Sequence, residues 1–136
     1  MLLSRGVTVK EFESLEDTVE GQPILETIDC LYMTRIQREH NSEATEAELD
    51  SLDLAPFKLS EERVAKMKSY AAIMHPFPRD QVVGEIPVAI DADPRAMYFR
   101  QARNGMWIRA ALLVHVFDVA ESLIETHARL FPQASR

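Results

Sequence analysis

With 136 residues, 46% of them hydrophobic and 27% charged, the chain has the composition of one soluble globular domain and is too short for two. Its 22 acidic against 15 basic residues, a net charge of -7, offer no basic stripe for nucleic acid, and its longest apolar run, residues 110–114, cannot span a bilayer. A single cysteine, Cys30, allows no intrachain disulfide, and residues 1–5 lack the long apolar stretch of a secretory signal, so a reducing, cytoplasmic setting is expected.

In chain order, Leu2, Leu3 and Gly6 read as the tail of a helix with a glycine cap, followed by a strand over residues 7–12. Ser14, Glu16, Asp17 and Glu20 read as one ragged helix ended by Gly21 and Pro23. Residues 28–33 form a β-prone apolar run that contains Cys30, read as packed rather than reactive. Residues 41–56 are acidic and read best as a solvated surface segment, although Thr45 with Glu48 has capping-box spacing for a short helix. Ser60 is placed to cap a helix with Val64 and Met67 on one face and Glu62 paired to Lys66, leading into a second β-prone run at 70–74. Asp93 caps and Pro94 starts a helix that Asn104 and Gly105 interrupt. Beyond the break, Met106, Ala110, Leu113, Phe117, Ala120 and Ile124 form one apolar row beside Leu112, Val116, Val119 and Leu123. That pattern predicts a long helix buried over much of its girth, with Trp107 and Phe117 in the core and a partner required for Arg109. Strands alternating with helices imply a parallel α/β layer.

Two blocks carry chemistry. Leu31 to Glu39 follows the first β-prone run, and His75-Pro76-Phe77-Pro78-Arg79 follows the second. If the runs are neighbouring parallel strands, both blocks emerge at the carboxyl edge of one sheet, where ligands bind in open α/β folds. Arg35 there can grip a carboxylate through two parallel hydrogen bonds, with Gln37 nearby and Glu39 able to orient the guanidinium. In isolation, a surface pair between Arg35 and Glu39 is the plainer reading. Two prolines around Phe77 remove backbone donors and leave carbonyls able to accept from a substrate amide or amine; a rigid connector explains the motif equally well. His75 has no neighbouring nucleophile and reads as structural. The four histidines lack metal-site spacing, and neither a dinucleotide nor a P-loop fingerprint occurs.

Together with Glu85-Ile86, Asp91 to Ala96, Tyr98 to Ala102 and Asn104-Gly105, these blocks resemble the C-terminal part of aspartate carbamoyltransferase, in order and spacing, from about Gly6 to Phe117. The related ornithine enzymes usually carry His-Cys-Leu-Pro where this chain has His75-Pro76-Phe77-Pro78, so the likeness is to the aspartate enzyme. The resemblance implies a partial Rossmann-like parallel sheet flanked by helices with a long C-terminal helix. Residues 1–136 would be a single, incomplete aspartate-binding domain, the carbamoyl-phosphate domain being absent. The implied activity is carbamoyl transfer from carbamoyl phosphate to L-aspartate, an early step of pyrimidine biosynthesis, without metal or organic cofactor. It implies that Arg35 and Gln37 bind aspartate, that backbone groups of Pro76, Phe77 and Pro78 hold carbamoyl phosphate, and that Glu39, Arg79 and Glu85 support them from behind. Phe77 stands where the family usually has leucine, and Asp80 to Gly84 is longer than usual. The expected partners are a chain bearing the N-terminal carbamoyl-phosphate domain or further copies in an oligomer, with no nucleic acid and no membrane. A non-catalytic pseudoenzyme serving as a binding or assembly module is the competing expectation.

Overall fold

The computed structural model describes residues 6–35, 53–80 and 84–132. It divides into two units, residues 1–98 and 99–136. The fold is mixed α/β, with a short parallel sheet, flanking helices and a long C-terminal helix.

The first unit opens with residues 6–17 in turns and irregular backbone; the strand expected over 7–12 is not formed, and Val7, Val9 and Phe12 are exposed. A strand exists through the bonds of its ladder, and no neighbour among the described residues supplies them. In place of the ragged helix there is a small antiparallel hairpin, β1 (Thr18–Val19) with β2 (Gln22–Pro23). Its two-residue loop, Glu20 at φ 55° and Gly21 at φ 81°, has both central residues in the left-handed region, the twist that two-residue hairpins favour. One helical turn, α1 (Ile24–Thr27), buries Leu25 and leads into β3 (Cys30–Tyr32).

A 3-10 turn over Ala55–Phe57 precedes α2 (Glu61–Lys66). Ser60 caps α2 as its position predicts, its hydroxyl accepting from the Arg63 N–H, and Val64 and Met67 are buried on one face. Lys66, expected to pair with Glu62, instead reaches Glu16 at 2.7 Å, beside Arg63 Nε at 2.9 Å from the same carboxylate. Lys68 closes the end of α1, donating to the Thr27 carbonyl and to Asp29, each at 2.7 Å.

The second β-prone run forms β4 (Ala72–Met74), parallel to β3, with Leu31 opposite Ile73 and Tyr32 opposite Met74. On its other side Ile73 donates its N–H to the Arg95 carbonyl and accepts from the Met97 N–H, both at 2.8 Å, so residues 95–97 act as a third rung of parallel pairing. Those bonds are incompatible with the helix expected from Pro94. Asp93 still accepts from the Arg95 N–H at 2.8 Å, but it closes a turn. Arg95 ties this rung to α2 by donating to the Val64 and Met67 carbonyls, while Asp93 grips its guanidinium. Leu25, Met33, Leu59, Val64, Met67, Ala71, Ile73, Ile86, Ile90 and Tyr98 form the core around this sheet. Cys30, read as packed, is exposed on β3.

α3 (Tyr98–Val116) runs unbroken through Asn104 and Gly105. The interruption falls later, at Asp118 (φ 52°), before α4 (Ala120–Leu130). Trp107 is 63% exposed and Phe117 68%, not core as their spacing predicts, and every residue of α4 is exposed. The apolar rows are present, but among the described residues of this unit nothing covers them.

Two outcomes follow from the packing. Ile73→Ala, at a site with no exposure, should destabilise the chain by about 2–5 kcal/mol, read as a lower urea midpoint. The Arg95 guanidinium holds the Asp93 carboxyl below its ordinary value of 3.8. Its stabilising contribution is therefore fully present above that value and is lost as pH falls through the lower, folded-state value. Acid unfolding of Asp93→Asn should lack that component, and an unchanged acid limb would show that the pair contributes nothing.

Candidate functional site

Parallel pairing decides where the two chemistry-bearing blocks lie. β3 and β4 run the same way, and the Met33 N–H donates to the Met74 carbonyl at 2.9 Å, extending the ladder one residue beyond Tyr32. Arg35 and Phe77 then each follow three residues after a paired position, Tyr32 and Met74, at one edge of the sheet. Neighbouring strands lie about 4.8 Å apart, so both segments leave the sheet at the same edge. Arg35 is half-buried there. Gln37 and Glu39 lie outside the described residues.

Two concavities open beside this edge. One, of about 400 Å³, is lined by Tyr32, Met33 and Thr34 from the end of β3, by Phe57 and Lys58, and by Glu85. The other, of about 690 Å³, lies along Phe77 to Asp80 and faces Ile86 to Val88. The first gathers apolar walls with a carboxylate and a lysine. The second is bounded by the turn itself.

The turn is held in a conformation that its residues would not adopt alone. Phe77 sits at φ 56°, a left-handed conformation that costs a bulky residue roughly 1–2 kcal/mol, and the Phe77–Pro78 peptide is cis. The Phe77 N–H donates to His75 Nδ1 at 2.9 Å. That bond leaves Nδ1 unprotonated and places the ring proton on Nε2, which lies 2.8 Å from Glu85 Oε1. The approach is short but not aligned as a hydrogen bond, so it is chiefly the attraction of a carboxylate for the N–H end of the ring. His75 is 1% exposed and serves the turn, in keeping with a structural histidine. Both Glu85 oxygens also accept from the Asp80 N–H, at 3.1 and 3.3 Å, which compensates the burial of that carboxylate.

Arg79 stands behind the turn. Its guanidinium donates to both oxygens of Asp91, at 2.6 and 2.9 Å, and lies over the rings of Phe77 and Tyr98, 5.9 and 5.3 Å from their centroids. Tyr98 donates its hydroxyl to the same Asp91 at 2.6 Å. The Arg79 guanidinium, followed by the Tyr98 hydroxyl, holds the Asp91 carboxyl below its usual value despite partial burial. Burial above all, then the Asp91 carboxylate, pushes the Tyr98 phenol well up.

The sequence-predicted residues Pro76, Phe77, Pro78, Arg79 and Glu85 thus form one cluster at the sheet edge that Arg35 shares. Sequence reasoning placed Arg79 and Glu85 in support but missed the carboxylate that grips Arg79. That carboxylate is Asp91, while Glu85 meets His75 and Asp80. No local spacing joins Arg79 to Asp91 or Tyr98, and the one signal for them was their place within the blocks of resemblance. Among the described residues no three or more His, Cys, Asp or Glu side chains gather as a metal site, and no helix is long and apolar enough to cross a membrane.

Known proteins match this arrangement in sequence and in shape. The family profile described as "Aspartate/ornithine carbamoyltransferase, Asp/Orn binding domain" matches residues 6–116. The chain is 45% identical over 115 residues to the multifunctional protein CAD of Squalus acanthias, covering 85% of this chain and 5% of that protein. To the aspartate carbamoyltransferase catalytic subunit of Clostridium kluyveri it is 41% identical over 120 residues, covering 87% of this chain and 35% of that subunit. Aspartate transcarbamoylase of Trypanosoma cruzi, solved in complex with carbamoyl phosphate and aspartate, superposes with a TM-score of 0.68 at 34% identity, covering 82% of this chain and 33% of that one. The chain therefore spans about a third of the length of such a catalytic subunit. It belongs to the aspartate/ornithine carbamoyltransferase family, within the Asp/Orn binding domain.

Proposed function

We propose that this chain is the aspartate-binding portion of an aspartate carbamoyltransferase, working in the cytoplasm and catalytic when an N-terminal carbamoyl-phosphate half is supplied by another chain. The reading is carried by one observation: parallel pairing of β3 with β4 sets Arg35 and the His75-Pro76-Phe77-Pro78-Arg79 turn at a single sheet edge. Membership of the family and 41% identity to a catalytic subunit support it.

In this reading the Arg35 guanidinium takes a carboxylate of L-aspartate, assisted by Gln37, with Glu39 holding the arginine in orientation. Backbone groups of Pro76, Phe77 and Pro78 hold the carbamoyl group of carbamoyl phosphate, and Arg79 and Glu85 brace the turn. The aspartate amine, having lost its extra proton, forms a bond to the carbamoyl carbon, and the carbon–oxygen bond to phosphate breaks. Phosphate leaves with that electron pair and takes one of the two protons on the attacking nitrogen, so that the new amide keeps a single N–H. Stabilising the oxyanion and the departing phosphate requires fixed positive charge, which usually contributes most of the rate gain in such chemistry. The resemblance assigns those groups to the carbamoyl-phosphate half of the enzyme. No metal or organic cofactor has a role in this scheme.

A second reading, a non-catalytic module that assembles with a complete subunit, is favoured by the exposed apolar side chains of α3 and α4, Trp107, Leu113 and Ile124 among them. Such faces mark association surfaces.

Mixing the chain with a separately made N-terminal portion of a related catalytic subunit should yield carbamoyl aspartate. Arg35→Ala should lower that turnover by about 100-fold or more, the loss expected on removing charged hydrogen bonds to a carboxylate, and Arg35→Lys should not restore it. A well-folded complex without turnover, but stable with a complete subunit, would favour the assembly module instead.

A further inference from the structure

We infer that Tyr98 and Asp91 are positioning residues of the proposed carbamoyl-binding turn: they hold Arg79 against the ring of Phe77 and so fix the direction of the carbonyls at Pro76 and Phe77. The inference rests on the function proposed above and extends it to two residues that the family resemblance leaves without a role.

Phe77 at φ 56° needs an environment that over-determines it. Three contacts supply this. Its N–H is held by His75 Nδ1 at 2.9 Å, its ring packs perpendicular to that of Tyr98 at 5.8 Å between centroids, and the Arg79 guanidinium lies over its face. Two of the three depend on Tyr98 and Asp91. Tyr98 has no exposure, so its ring is set by the core. Its hydroxyl donates to Asp91, and that carboxylate in turn receives both donors of Arg79. Asp91 lies in a 3-10 turn, Val88–Ala92, anchored by buried Ile90. A chain of contacts thus runs from the core through Tyr98 and Asp91 to Arg79 and on to the turn. Its members come from the 3-10 turn, the start of α3 and the loop after β4, so the clamp exists only in the folded chain.

The network also keeps one protonation state around neutrality. Asp91 is held below the ordinary carboxylate range by Arg79, and the Tyr98 phenol is pushed up by burial. The clamp therefore keeps an anion between a cation and a hydroxyl, and it needs no ligand to form.

The test measures amide hydrogen exchange in this chain at Phe77, in the turn, and at Ile73, in the core sheet. Tyr98→Phe keeps the ring and removes one hydroxyl, and Asp91→Asn leaves the guanidinium without its carboxylate. Each should speed exchange at Phe77 by about tenfold or more relative to Ile73, while Ser60→Ala, which loosens α2, should leave that ratio unchanged. In the reconstituted enzyme Asp91→Asn should lower kcat about tenfold and weaken carbamoyl phosphate, with the KM for aspartate within twofold and Asp91→Glu restoring part of the loss. An unchanged Phe77-to-Ile73 ratio in both variants would overturn the inference. Absence of turnover in the unaltered complex would instead overturn the proposed function, and the exchange result would still judge the clamp.

Discussion

Ile73 is the point from which the rest of the molecule is placed. β3 lies on one side of its strand, and on the other its own N–H and carbonyl bond Arg95 and Met97. A β-strand offers donors and acceptors to both sides, and a buried one must use both. By doing so Ile73 aligns three stretches distant in sequence: the strand that ends toward Arg35, the strand that ends in the proline turn, and the rung that leads into Tyr98. The position allows no slip, because moving the register by one residue would turn Ile73 out of the core and bring Ala72 or Met74 in. The placement of these three stretches is thus a by-product of pairing.

Charge follows the same frame. Two half-buried ionic pairs of the first unit brace its segments: Asp93 grips Arg95, which fastens the third rung to α2 through the Val64 and Met67 carbonyls, and Arg79 with Asp91 fastens the turn to the 3-10 segment. The Glu16 cluster on Arg63 and Lys66 is more exposed and works at the surface, where such pairs contribute little. A chain of net negative charge can still hold locally positive groups, because net charge and local field are separate quantities.

The sheet, the cap at Ser60 and the turn at 75–79 were legible because each depends on neighbours within a few residues, or on hydrophobic runs whose period shows. Much of the rest was not. A strand at residues 7–12 looks β-prone, yet pairing is a property of two segments, and among the described residues none pairs with it. Pro94 looks like a helix start, but bonds from Ile73 to its neighbours outweigh a local preference. Gly105 reads as a helix break, yet a lone glycine costs a helix only about 1 kcal/mol, and α3 continues through it. Trp107 and Phe117 have core spacing, but spacing tells which side chains share a face and not whether anything meets that face. Asp91 and Tyr98 are joined to Arg79 only through the fold. Gln37 and Glu39, drawn from the same block as Arg35, lie outside the described residues.

Eleven residues make up α4, all of them exposed. A helix of that length is marginal by itself in water, so a surface settling on Leu123, Ile124 and Leu130 would add to its order. Any such union would put part of its contact energy into winding the segment, leaving the affinity below what the apolar area alone implies. The grip would also loosen sharply with heat, since helix and contact would melt as one event.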